Sequence, residues 1–413
     1  MPSADSPSPS RAHLPAHAIR MLPVLALLSA VAPLATDLYL PAFPAMAQAF
    51  NAPASRVQLT LTAFLLGMAL GQLLVGPLSD GWGRRRLLLA GTALCFVATV
   101  ACFFAPSVDA LIAARLLQGI SGGAGVVLAR AIVADTVQGP TMARMMGVMM
   151  MIGGIAPITA PLLGSLLLPL GGWRLTFGVL AALVGLMFLG VWRRVPETLP
   201  PEGRRGGGIG ELLRSGRQVL GHRRFVGYLV TGCGGFAALF AYISASPFVV
   251  QGVLGLSAQA YGLAFGANAM ALVASGALAV KLAGRVPLRR LLAIGLGMLW
   301  TACALQIVNL VLLSSTVVTL VLMGSAIGAL GLVFGNNLAL ALDEVPHARG
   351  TASAFVGSLQ FGVGAAVSPL VGMAGPLDAR PMALVMLAGA SVAVWAFVRL
   401  TRGPARAAPP QRR

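Results

Sequence analysis

Two residues of opposite charge, Asp37 and Arg115, stand inside segments that are otherwise long and apolar enough to cross a bilayer. An aspartate at such depth costs roughly 2.5–3.5 kcal/mol on insertion scales, so charged residues there usually serve ion pathways, proton relays or ligand binding. At about 1.5 Å per residue, both lie roughly 8–10 Å below the same end of the predicted helices. Equal depth permits an ion pair, and a carboxyl that can separate from its cation can change its affinity for protons. We predict that Asp37 and Arg115 couple proton movement to another process; the alternative is a permanent ion pair that only neutralises charge.

Six further polar side chains in apolar segments are candidates for contact with a small-molecule substrate. An apolar cavity with a few aromatic or hydrogen-bonding groups is typical of ligand sites. Asn and Gln within membrane helices also serve simply to bridge neighbouring helices, and that alternative stays open. The candidates are Tyr39, Gln118, Tyr242, Asn268, Asn336 and Gln360.

The residue spacing does not indicate a metal site, a nucleotide-binding site or a nucleic-acid-binding surface. Cys95, Cys102, Cys233 and Cys303 fall within apolar runs, and the four histidines are scattered, so no metal site or cofactor is predicted. There is no phosphate-binding P-loop pattern, which argues against an ATP-driven pump. The net charge of +18 comes from arginines placed between apolar runs. This distribution favours contact with anionic membrane lipid over binding to nucleic acid.

The elements that must position these residues are predicted to be membrane-spanning helices. Of the 413 residues, 57% are apolar and only 10% are charged, whereas soluble chains carry about 25% charged residues. About 20 apolar residues cross a bilayer as a helix, and the chain holds twelve such runs. They lie at roughly 21–43, 57–77, 87–105, 110–132, 146–168, 173–192, 225–249, 260–282, 290–313, 317–341, 351–373 and 381–400. The predicted class is an all-α membrane protein with twelve transmembrane helices.

The twelve runs divide into two sets of six, and this division gives the predicted domain plan. A bundle at 21–192 and a second at 225–400 are joined by a linker at 193–224, with tails at 1–20 and 401–413. The linker is rich in Gly and Arg and is predicted to be flexible. The alternative is an amphipathic stretch that binds lipid.

The distribution of Lys and Arg predicts the orientation of the chain. With the N-terminus in the cytoplasm, Arg56, Arg174 and Arg380 lie outside, and Arg115 and Arg130 lie within spans. All the other residues among the 29 Lys and Arg then fall on the inner side. Because basic residues concentrate in cytoplasmic loops, both termini are predicted to be cytoplasmic.

The two halves of the chain repeat one another at near-constant spacing. The segment "YLPAFP" of the first run recurs as "YISASP" in the seventh, and "APLLG" of the fifth recurs as "SPLVG" in the eleventh. Such matches predict two parallel six-helix repeats. In this alignment Asp37 corresponds to Phe240 and Arg115 to Leu320. Ion chemistry is therefore predicted to reside in the first bundle.

The segment "GPLSDGWGRRR" joins the second and third runs on the predicted inner side. Gly76 would allow close packing, Asp80 would end a span, Gly83 would permit a tight turn, and Arg84 and Arg85 would hold the next helix at the surface. The pattern resembles the loop signature of the major facilitator superfamily. The resemblance implies that the aspartate joins a charged network that holds the outward-facing state; a simple topological anchor is the alternative.

The fifth run reads "GVMMMIGGIAPITAPLLG" and is similar to the antiporter signature of drug-exporting members of that superfamily. Gly147, Ala160, Pro161 and Gly164 fall on positions of the signature, and two of its glycines are alanine here. These residues are expected to take part in the conformational change, because small residues allow close helix contact and proline bends a helix. Ordinary small-residue packing is the alternative.

With "TDLYLP", "RLLQG", "RAIVAD" and "PETLPPE" added, the chain resembles Bcr/CflA-type drug exporters from about residue 20 to 400. Ser29 stands where some relatives carry a second acid. The resemblance implies the major facilitator fold, two pseudo-symmetric six-helix bundles around a central cavity. It also implies export of small amphipathic drugs in exchange for protons, by a functional monomer in a bacterial inner membrane. A proton-coupled uptake permease with the same fold is the alternative.

Overall fold

The computed structural model describes residues 16–200, 202, 204, 209–372 and 378–402. Nearly all of these residues are helical, which confirms the predicted all-α class. The helices are α1 (Ala16–Asp37), α2 (Phe43–Ala49), α3 (Ala54–Trp82), α4 (Arg84–Phe103), α5 (Val108–Thr136), α6 (Gly139–Arg194), α7 (Ile209–Leu220), α8 (Arg223–Phe248), α9 (Ala258–Leu282), α10 (Leu288–Val308), α11 (Thr316–Asp343), α12 (Arg349–Val367) and α13 (Arg380–Leu400). Most of the two predicted tails and the Gly-rich stretch 205–208 lie outside the described residues.

Within the described ranges, eleven helical stretches are long and apolar enough to cross a membrane. One of them, Arg144–Arg194, has 51 residues, or roughly 75 Å of helix against a hydrocarbon core of about 30 Å. Its backbone leaves helical geometry at Gly171 and at Gly172, where φ is 65° and ψ is −169°. That stretch is therefore two spans joined by a tight turn, and the twelve predicted spans are confirmed.

The first span is interrupted inside the run 21–43 that the sequence predicts as one helix. α1 ends at Asp37, a short 3₁₀ turn covers Leu40–Ala42, and helix resumes at Phe43. Pro41 explains the break, because proline has no N–H to donate and its ring clashes with the carbonyl four residues earlier. The prediction of a continuous helix is wrong here, and Asp37 stands at a helix end within the membrane.

The spans form two bundles, α1 to α6 and α8 to α13, and one helix pair that the two repeats share packs closely in both. In the first bundle α5 lies directly against α3, so that a Cβ on Gly119 would run into the carbonyl of Phe64. In the second bundle α11 lies against α9, and a Cβ on Gly331 would meet the carbonyl of Leu272. Small residues in both repeats thus bring the corresponding backbones together, which agrees with the predicted duplication.

The predicted linker is more ordered than its composition indicates. Its described part contains α7, whose Gly216 packs against the ring of Phe355 on α12. The basic pairs at either end of the predicted linker belong to the last turn of α6 and the first turn of α8. The predicted C-terminal tail also begins late, since Thr401 is buried and its hydroxyl accepts a hydrogen bond from Arg289 at 2.8 Å.

Candidate functional site

The break after α1 places Asp37 on the wall of a cavity between the two bundles. The cavity measures about 250 Å³, and Asp37 is only 4% exposed. Its Oδ1 atom has no hydrogen-bond partner among the described residues. A buried polar oxygen without a hydrogen-bond partner costs about 1–3 kcal/mol of folding free energy. Binding of a proton, a ligand or water to this carboxyl would remove that cost.

The rest of the cavity wall is almost entirely apolar, and most of it comes from the second bundle. Lining residues are Gly153, Gly154 and Pro157 of α6, Leu239, Tyr242 and Ile243 of α8, Phe265, Ala269, Leu272 and Val273 of α9, and Ile327 of α11. The rings of Tyr242 and Phe265 stack with centroids 5.4 Å apart. Asn268 donates a hydrogen bond to the Tyr242 hydroxyl at 2.9 Å. This arrangement offers an apolar molecule a flat aromatic face and two polar groups, the Asp37 carboxyl and the Tyr242 hydroxyl.

Arg115 is fully buried, but it faces the interior of the first bundle and not Asp37. Its guanidinium donates to Gln118 at 2.5 Å and to the Tyr39 hydroxyl at 3.2 Å. It also lies over three aromatic rings, 4.2 Å from the centroid of Phe64, 4.5 Å from that of Tyr39 and 5.9 Å from that of Phe177. Attraction to an aromatic face stabilises a desolvated cation by about 2 kcal/mol. The ring contacts therefore supply part of the electrostatic stabilisation that a carboxylate would give Arg115.

The ion pair that equal depth permits between Asp37 and Arg115 is absent from the described residues. The physical reason is the helix break, which separates Asp37 from Tyr39. Asp37 lines the cavity between the bundles, whereas the Tyr39 hydroxyl binds Arg115 and Thr60 within the first bundle. The depth of a residue along its helix does not show whether its side chain faces the cavity between the bundles or the interior of the first bundle.

The six predicted substrate contacts lie as two pairs and two separate residues. Tyr242 and Asn268 form a hydrogen-bonded pair at the cavity, where Tyr242 shares the wall with Asp37. Tyr39 and Gln118 belong to the Arg115 cluster, with Gln118 also donating to Thr99 at 2.7 Å. In the second bundle, Asn336 and Gln360 occupy separate positions: the Asn336 amide donates to the carbonyl of Leu332 in its own helix, and Gln360 lies beside Gly232.

The junction between α3 and α4 holds a charged network that includes Asp80. Arg84 binds Asp80 at 2.6 Å and Asp135 at 3.0 Å, and its backbone N–H donates to Glu197 at 2.8 Å. Gly83 adopts φ = 93°, and a Cβ there would lie 2.6 Å from the Glu197 carboxylate. Glycine is therefore required at this turn for its backbone and for space.

Two other predicted loop residues have different surroundings. Arg85 is not part of the ion pairs; it donates to the backbone carbonyls of Val195 at 2.9 Å and Trp192 at 3.1 Å, which ties α4 to the end of α6. Gly76 is not in close contact, because among the described residues a Cβ there would meet only Val127, at 3.8 Å. The expectation that Gly76 serves close packing is wrong.

The antiporter-like segment contributes close contacts at one end only. Gly164 lies so near the Leu38 carbonyl that a Cβ would overlap it, which places α6 against the break after Asp37. Ala160 is fully buried, and the carbonyl of Pro161 faces Gly262 of α9 in the other bundle. A Cβ on Gly147, at the other end, would have no described atom within 4 Å, so packing against the described residues does not account for this glycine.

The bundles are bonded to each other at the predicted outer end. Gln58 donates to the Ser244 carbonyl at 3.1 Å, Ser368 donates to the Gln58 carbonyl at 3.5 Å, and Gln251 donates to the Pro41 carbonyl at 3.1 Å. Among the described residues, these are the hydrogen bonds that cross between the two bundles. These bonds hold the two bundles together at that end.

Several of these residues carry no signal that sequence reasoning could use. Phe64 and Gln58 occupy ordinary positions in an apolar run, and only packing shows that they hold Arg115 and the outer contact. Asp135 and Glu197 do have a signal, because they fall in the quoted segments "RAIVAD" and "PETLPPE". Their pairing with the α3–α4 loop still required the structure.

Comparisons with known proteins agree with this architecture. Residues 25–369 match the family model described as the Major Facilitator Superfamily. The chain is 36% identical over 382 residues to the MFS-type transporter YdgK of Bacillus subtilis, covering 92% of this chain and 94% of that protein. It is 29% identical over 378 residues to the "Bicyclomycin resistance protein homolog" of Haemophilus influenzae, covering 91% and 95%.

The chain is also similar to a drug-resistance protein in sequence and to a sugar transporter in fold. "Multidrug resistance protein D" of Escherichia coli is 32% identical over 247 residues, covering 60% of this chain and 62% of that protein. The crystal structure titled D-xylose-proton symporter superposes with a TM-score of 0.74 at 17% identity, covering 94% of this chain and 100% of that one, which shows the shared fold. The resemblance to Bcr/CflA-type drug transporters is confirmed, and the chain belongs to the major facilitator superfamily of membrane transporters, which are not enzymes.

Proposed function

We propose that this transporter exports small amphipathic drugs across a bacterial inner membrane in exchange for protons, as a functional monomer with both termini in the cytoplasm. The observation that carries the proposal is the unpartnered Asp37 carboxyl on the wall of an apolar cavity between the bundles. Relatives named for bicyclomycin and multidrug resistance support drugs as the substrate class.

The exchange follows from placing the proton and the drug at the same cavity. When the cavity faces outward, the Asp37 carboxylate accepts a proton; when it faces inward, the carboxyl releases that proton and the drug enters. Drug packs against the stacked rings of Tyr242 and Phe265, since apolar and aromatic walls bind most ligand surface. Rocking of the two bundles alternates the access.

Two other groups have proposed roles in the transition between states. Arg115 holds Tyr39, two residues from Asp37, so its cluster would fix the broken end of α1 relative to the bundle. The ion pairs of Arg84 with Asp80 and Asp135 brace the inner end of the first bundle. We propose that they set the balance between inward- and outward-facing states.

The direction of transport is tested with purified protein in liposomes of known internal pH. An outward-directed proton gradient across the membrane should drive drug against its own gradient in the opposite direction to the protons, and addition of drug alone should start proton movement. Co-movement of drug and protons in the same direction would identify the uptake permease. Drug movement that no proton gradient affects would refute proton coupling.

A further inference from the structure

A second, larger pocket lies at the predicted inner face of the first bundle, at the opposite end of α1 from Asp37. It measures about 1070 Å³ and joins the start of the first span to the start of α4 and the end of α6. We call it the arginine pocket. Its lining residues are Arg20, Met21, Arg85, Trp192, Arg193, Arg194, Val195, Pro196 and Glu197.

The charges in the arginine pocket are not balanced within the described part of the chain. Arg20, Arg193 and Arg194 pair with no carboxylate among the described residues. Glu197, the one acid of the lining, is already engaged by the backbone N–H groups of Arg84 and Arg85. The pocket therefore presents three guanidinium groups without a counter-charge.

The depth of the arginine pocket matches that of lipid headgroups. Arg20 begins one apolar stretch and Arg194 ends another, so both lie where hydrocarbon gives way to polar headgroups. Trp192 is 54% exposed beside them, as is usual for tryptophan at a membrane interface. An arginine guanidinium forms a planar fork that matches two oxygens of a phosphate.

The second bundle supplies an internal comparison. There the corresponding pocket is smaller, about 460 Å³, and is lined by Arg289, Arg290, Arg402 and neighbouring apolar residues. Arg289, like Arg85, turns toward the end of the last span of its bundle, where it donates to Thr401. Both repeats thus contain a supporting arginine and further arginines that pair with no carboxylate among the described residues. The first bundle differs in the size of the opening, about 1070 Å³ against about 460 Å³.

The geometry points to the arginine pocket as a binding site for the phosphate of an anionic phospholipid headgroup from the inner leaflet. Basic pockets between helices on the cytoplasmic side suit such headgroups. The site is separate from the transport cavity and does not depend on the proposed drug export. A free phosphate ion has the same chemistry, and the test distinguishes the two sources.

The test uses the full chain purified in a neutral detergent. Bound lipid is counted by native mass spectrometry, and the thermal unfolding midpoint is followed while phosphatidylglycerol, phosphatidylcholine or inorganic phosphate is added. We expect phosphatidylglycerol to bind about tenfold more tightly than phosphatidylcholine, a preference that falls as salt is raised. The double variant Arg193→Gln/Arg194→Gln should lose that preference.

A matched control removes two positive charges at the same face but outside the pocket. Arg144→Gln/Arg285→Gln should keep the preference within about twofold, because only non-specific attraction is reduced. Equal losses in the two double variants would overturn the site. Displacement of phosphatidylglycerol by inorganic phosphate at equal concentration would overturn the lipid assignment. If the first double variant does not fold, Arg20→Gln alone should weaken phosphatidylglycerol binding, and unchanged binding would refute the proposal.

Discussion

Replacement of Asp37 by asparagine separates proton coupling from folding in this transporter. Asparagine keeps the size and hydrogen-bonding capacity of the side chain but cannot exchange a proton near neutral pH. Because the carboxyl lines the cavity without a cation beside it, the substitution should leave the packing around it unchanged. Asp37→Asn is therefore expected to fold normally and to lose gradient-driven export.

The size of both effects can be estimated from the structure. A gradient of about two pH units supplies about 2.7 kcal/mol per proton, which sustains roughly a 100-fold drug ratio for one-to-one exchange. Asp37→Asn should reduce that ratio to about one. Breaking a buried ion pair would cost about 3–5 kcal/mol, but no such pair with Arg115 exists among the described residues. The unfolding midpoint should therefore stay within about 2 °C of wild type.

The assay compares three proteins at matched amounts in liposomes. Wild type should show drug-induced proton flux, and Asp37→Asn should show none while still exchanging labelled drug at equilibrium. Arg115→Met should be clearly less stable, because it leaves the buried side-chain oxygen of Gln118 without its donor, at about 1–3 kcal/mol for an orphaned group, and removes the cation from the faces of Phe64 and Tyr39. Persistent proton flux in Asp37→Asn would refute the coupling role. A loss of stability as large as that of Arg115→Met would show that the two residues do form an ion pair.

Three further outcomes follow from the same geometry. Asp80→Asn should nearly abolish transport without impairing membrane insertion, because Arg84 loses the partner at 2.6 Å; transport at the wild-type rate would exclude the proposed role of the network. Gln58→Ala removes the hydrogen bond to Ser244 across the bundles and should raise the outward-open population about fivefold, for about 1 kcal/mol, as measured by labelling, from outside, of a cysteine introduced into the cavity wall; unchanged labelling would contradict the outer contact. Leu320→Met, at the repeat position equivalent to Arg115, should keep coupling intact, and a variant that binds drug but no longer moves protons would contradict the asymmetry of the repeats.

The distribution of prolines and glycines accounts for the places where sequence reasoning succeeded or failed. Twelve apolar runs were readable because each must cover the thickness of a bilayer, and Gly171–Gly172 mark the division of the longest helical stretch. Pro41 carried no clear signal of a helix break, because other prolines such as Pro33 lie within the helix of that span. Hydropathy measures the polarity of a side chain, and it does not show that proline lacks the backbone N–H that a helix needs.

The sequence by itself determined the class of protein, the two six-helix repeats and the concentration of buried charge in the first of them. These are properties of composition and of residue order along the chain. They can be inferred from the sequence because each segment that crosses a bilayer must be an apolar helix of about 20 residues. The tertiary structure decided the direction of each side chain. It placed Asp37 in the cavity between the bundles and enclosed Arg115 with Phe64, Tyr39 and Gln118. Residues at equal depth can face opposite sides of a helix bundle, and only the packing of neighbouring helices determines which side each one faces.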